Sequence, residues 1–167
     1  MSGEQDNTTG AAAFVQSELF ARAFREGMAL VEETANYLDG DGREESQRLN
    51  REGSLSYASA SMRLTTQLMQ IASWLLVMRA VREGEISLTE AADPKYRIDS
   101  SSQEPDAAPS DDEMPERLIG LVSETQHLFA RLGRLDADLF GSQSSSLHEG
   151  DAAAQQQALL QAFGSGS

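Results

Sequence analysis

The stretch from Asn50 to Gly84 constrains this chain more than any other, because it is long, helical in period and apolar on more than one side. Leu55, Ala58, Met62, Thr65, Met69, Ala72 and Leu76 recur at alternating three- and four-residue spacings, and so do Tyr57, Ser61, Leu64, Leu68, Ile71, Leu75 and Met78. Each series is one stripe of a 3.6-residue helix, so a rod of ~50 Å carries two apolar faces and calls for two neighbouring helices. The remaining face opens polar with Arg63, Thr66, Gln67 and Gln70 and turns apolar at Trp74, Val77 and Val81. That last patch is covered either by the apolar residues of segment 86–98 or by a second copy of the chain, and a homodimer interface through Trp74, Val77 and Val81 is the expectation. Met62, Met69 and Met78 are expected to fill the core.

Two more helices supply the neighbours. The first spans about 13–39, with Phe20, Phe24, Met28, Val31, Ala35 and Leu38 on one stripe and Gly40 as its stop. The third spans about 115–140, opening at Pro115 and carrying Leu118, Leu121, Val122, Thr125, Leu128, Phe129, Leu132, Leu135 and Leu139 before Gly141 closes it. Ser87 and Glu90 have capping-box spacing and predict one short turn ahead of Asp93-Pro94. The fold class is therefore all-α: a three-helix bundle over 13–141, with helices at about 13–39, 51–84 and 115–140. Residues 1–12 read as a disordered N-terminus, about 95–113 as a flexible acidic linker, and 142–167 as a disordered Ser/Gln/Gly-rich tail with one faint amphipathic segment carrying Leu159, Leu160 and Phe163.

Charge and composition exclude several functions. Asp and Glu number 27 against 13 Lys and Arg, a net charge of −14 that nucleic-acid phosphates and anionic membrane surfaces repel. The chain has no cysteine, which rules out disulfides and thiolate chemistry and fits a reducing compartment. No signal peptide is visible, and the longest apolar run, Ile71 to Val81, is broken by Ser73 and Arg79 and too short to span a bilayer. A cytoplasmic protein with no membrane insertion is expected. No Gly-rich phosphate loop or Gly-x-Ser-x-Gly turn occurs. His127 lies near Glu124 at i and i+3, half of a di-iron bundle signature whose other half is missing, and His148 falls in the tail. No catalytic residue, metal ligand or cofactor site is assigned, and the chain reads as a non-enzyme.

Two runs carry a resemblance. Phe24 to Gly40 (FREGMALVEETANYLDG) and Tyr57 to Leu76 (YASASMRLTTQLMQIASWLL) closely resemble the RcdA family, alphaproteobacterial regulators of CtrA degradation. The likeness extends more loosely through Arg82 to Glu85 and the third helix, while the N-terminus, linker and tail match only in character. It implies a self-associating three-helix bundle acting as an adaptor for the ClpXP protease, bound through a CpdR-like response regulator and delivering cell-cycle regulators as cargo. It also implies a contribution of the tail, here Leu159, Leu160 and Phe163. Within the resembling runs, Arg25, Glu26, Glu33, Tyr37, Arg63, Gln67 and Gln70 are predicted to face outward and are the candidates for partner contact. The alternative is a helical binding or scaffold module with no protease link.

Overall fold

The computed structural model describes residues 10–98 and 114–164, without the side chains of 142–156 and 158–164. A short helical segment over 10–15 (α1) leads into α2 (Glu18–Asp39), α3 (Asp41–Gln47), α4 (Arg51–Arg82), α5 (Leu88–Ala91), a 3-10 turn at Pro94–Tyr96, and α6 (Glu116–Gly164). The helices α2, α4 and α6 pack mutually around one core, and no strand occurs among the described residues.

Local chemistry fixes the boundaries. Asn50 caps α4 by accepting from the Gly53 amide at 2.7 Å. At the other end Gly84 adopts φ 75°, and Glu85 N–H reaches back to the Ala80 carbonyl at 2.9 Å, closing the helix. Ser87 and Glu90 form the reciprocal capping box of α5. The first helix is not continuous. Ser17 interrupts it and caps α2 by accepting from Phe20 N–H, which frees α1 to fold back. Gln16 Nε2 donates to the Arg82 carbonyl at 3.2 Å, and Phe14 packs on Phe20 and Trp74. Residues 10–12, expected as disordered, are thus helical with Ala11 buried, while 1–9 lie outside the described residues.

The buried stripe of α2 is rotated by one position from the expected one: Phe20, Ala23, Gly27, Leu30, Thr34 and Tyr37 face the core, and Phe24, Met28, Val31 and Leu38 sit half-buried at its margins. The cause is close approach. A side chain at Gly27 would land on Leu75 Cδ1 and touch Ile71 and Leu128, so α2 crosses both partners through its smallest residue.

Helix α3, which polar composition hid, folds back on that same end. Tyr37 is buried and its hydroxyl donates to Glu45 Oε2 at 2.8 Å; burial first, and then this carboxylate, push its ionisation far above the ordinary phenol range. A Cβ at Gly42 would lie 2.7 Å from both the Tyr37 carbonyl oxygen and the Tyr57 hydroxyl.

The C-terminal half of the core is closed by a polar node. Trp74 Nε1 donates to Asp136 Oδ1 at 2.9 Å, and Arg97 Nε donates to Asp136 Oδ2 at 2.8 Å. Asp136 is buried, and the Arg97 guanidinium lies over the Phe140 ring at 5.1 Å. The segment beginning at Lys95, expected as linker, is therefore packed as far as Ile98, which is itself buried; the acidic residues 99–113 lie outside the described residues. The third long helix does not end at Gly141 but continues to Gly164, so the segment expected as a disordered tail has helical backbone. A single glycine costs a helix ~1 kcal/mol and does not by itself compel a stop.

Two substitutions test this packing. Asp136→Ala leaves the buried indole N–H unpaired and removes the ion pair to Arg97, and should lower unfolding free energy by about 3 kcal/mol in a urea titration. Gly42→Ala should lower it by about 1–2 kcal/mol despite better helix propensity, because the methyl group meets backbone oxygen.

Candidate protein-docking surfaces

The outward faces of the bundle differ from those the stripes predict. Trp74 is only 2 % exposed, covered within the single chain by Phe14 of α1 and held by Asp136 of α6. Val77 and Val81 are half-buried and packed against the core, alongside Ile86 and Leu88. The dimer interface expected at Trp74, Val77 and Val81 is thus occupied from within: α1 and the segment running to Ile98 cover it.

The stripe that should have found a neighbour has none among the described residues. Leu55 is 66 % exposed, Met62 72 %, Met69 68 % and Leu76 51 %, and Ala58 and Thr65 between them are also exposed. Met62 and Met69 do not fill the core, whereas Met78 does. Along α4 the buried series is instead Leu64, Leu68, Ile71, Leu75 and Met78, with Trp74 beside it.

The polar candidates separate into distinct environments. Arg25, Arg63 and Gln70 are exposed, and Gln67 is half-buried. Glu26 pairs with Arg131 and Glu33 with Arg117 at 3.1 Å, so both bind α2 to α6 across exposed surface, where such pairs contribute ~0–1 kcal/mol. Tyr37, expected to face outward, lies inside the bundle, bonded to Glu45 and with Arg117 over its ring at 5.8 Å; its rotation inward follows from the Gly27 crossing. The side chains of Leu159, Leu160 and Phe163 lie outside the described residues.

Between α2 and α6 an open cleft of about 370 Å³ is lined by Leu19, Arg22, Glu26, Arg131, Arg134 and Asp138, among others. Its guanidinium and carboxylate groups are mixed at the surface, an arrangement suited to contacts with another polar protein surface. His127 and Glu124 are both exposed, and among the described residues no three His, Asp or Glu side chains gather where a metal could sit. None of the described helices is long and apolar enough to cross a membrane.

Comparison with known proteins places this architecture. Residues 11–163 match the family described as a protein of unknown function, DUF1465. Among solved structures, the crystal structure of RcdA from Caulobacter crescentus CB15 is similar, with a TM-score of 0.63 and 48% sequence identity over 74% of this chain and 92% of that one. No curated protein matches. With nearly the whole of α1 to α6 inside the matched region, the chain belongs to the DUF1465 family and is RcdA-like.

Proposed function

We propose that this chain is a non-enzymatic adaptor that tethers cell-cycle regulatory proteins to the ClpXP protease, engaging it through a CpdR-like response regulator. The observation that carries this reading is the 48% identity to RcdA across 92% of that chain, since the RcdA resemblance implies the adaptor role. The geometry supports it: the core is filled by side chains, and the surface offers exposed polar groups and an uncovered apolar stripe on α4.

Tethering needs no chemistry from the adaptor. Holding cargo beside the unfoldase raises its local concentration, to about millimolar for a short flexible link, so occupancy rises with no new contact between cargo and protease. Arg25, Arg63 and Gln70, exposed along α2 and α4, are the side chains assigned to partner contact, with Gln67 at their margin. A role for Leu159, Leu160 and Phe163 in the C-terminal extension of α6 belongs to the same proposal.

The test is a reconstituted degradation reaction containing ClpXP, the response regulator and a fluorescently labelled cell-cycle regulator. Adding this chain should speed cargo loss several-fold, and Arg25→Glu should blunt the acceleration while leaving the helical circular dichroism unchanged. An unchanged rate across added concentrations would reject the adaptor reading and leave a helical binding module with no protease link.

A further inference from the structure

The cleft between α2 and α6 follows from the way the two helices run past each other. They are antiparallel, since Glu33 pairs with Arg117 near the start of α6 and Glu26 pairs with Arg131 further along it. In that direction Arg22 and Ala23 come opposite Arg134 and Leu135, and Leu19 comes opposite Asp138. Ala23 is buried and carries only a methyl group, so α2 leaves the space beside Leu135 open, a cleft of about 370 Å³.

The three guanidiniums of this cleft are not equivalent. Arg131 is held by Glu26, and that pair closes one end. Arg22 and Arg134, both exposed, have no ion-pair partner among the described residues. Asp138 lies one turn beyond Arg134 on α6 but forms no ion pair with it among those residues. Beside the two unpaired cations are Leu19, 56 % exposed, and Leu135, half-buried. Positive charge and apolar surface therefore meet in one concavity.

That combination selects a ligand. The chain carries a net charge of −14, so an acidic partner is repelled by most of its surface and admitted where cations outnumber carboxylates. Here three arginines stand against Glu26 and Asp138, and Glu26 is already neutralised. A guanidinium offers a planar fork of donors that matches a carboxylate, whereas a basic ligand would meet two unpaired cations of its own sign. The leucines add a place where an apolar side chain leaves water.

We propose that this cleft docks a short acidic segment of a partner protein, its adjacent carboxylates on Arg22 and Arg134 and a neighbouring leucine-like side chain against Leu19 and Leu135. The site is separate from Arg25, Arg63 and Gln70, and its chemistry does not depend on whether the partner belongs to a protease system. A cleft of this size takes only a few side chains, so binding is weak, with Kd of ~10–100 μM.

The probe is a fluorescein-labelled peptide, Gly-Ser-Glu-Glu-Leu-Ser-Gly, titrated with the full chain and followed by fluorescence anisotropy. Replacing both glutamates of the peptide by glutamine should weaken binding about tenfold or more, and replacing its leucine by serine about threefold. Arg22→Glu and Arg134→Glu should each weaken binding about tenfold or more with unchanged helical circular dichroism, and Arg134→Gln should do so without adding a negative charge. Arg51→Glu makes the same change in net charge at the start of α4, beyond the far end of α2, and should shift Kd by less than about twofold. No binding up to about 1 mM protein, equal binding of the glutamine peptide, or an Arg51→Glu loss as large as that of Arg134→Glu would each overturn the proposal. Anisotropy is read without protease, response regulator or cargo, so its failure is distinguishable from failure of the degradation assay.

Discussion

A buried carboxylate that cannot stand alone organises this molecule. Asp136 lies inside the C-terminal half of the bundle and is stable there because the Trp74 indole N–H and the Arg97 guanidinium occupy its two oxygens. Each partner comes from a different element, so one set of hydrogen bonds fixes the rotation of α4 against α6 and anchors the segment that follows α5. Once Trp74 points inward, the stripe on the other side of α4 must point outward. The exposed methionines and leucines are thus a consequence of the node and not a separate accident of packing.

Much of this was legible in the residues. The start of α4 near Asn50, Ser87 with Glu90 as a capping box, and the run from Leu118 to Leu132 as the inner face of α6 all follow from local hydrogen-bond chemistry or from period. What was hidden has a common cause: small or polar residues in places where apolar bulk was the guide. Gly27 draws α2 so close to α4 and α6 that the large side chains of the expected stripe move to its edges and Tyr37 turns in. Asp136 reads as surface until its two donors are found, one of them 62 positions away in sequence. Helix α3 is nearly all polar, yet it forms because Gly42 fits beneath two tyrosines and Glu45 receives a hydroxyl.

The candidate site was legible only in part. Exposure of Arg25, Arg63 and Gln70 follows from their helical phase, whereas the ion pairs of Glu26 and Glu33 depend on which α6 residues lie opposite, which period alone does not specify. The division of surfaces suits a tether. Exposed polar groups lie on α2, along its seam with α6 and, as Arg63 and Gln70, on α4, beside an uncharged exposed stripe of that helix.

The central claim, that the core including Trp74 closes within a single chain, has a direct optical readout because Trp74 is the only tryptophan. Iodide quenching of its fluorescence, followed as the chain is diluted, should stay weak and unchanged, with blue-shifted emission throughout. Quenching that rises, together with emission that shifts red on dilution, would mean that a second copy buries the indole and would contradict the account.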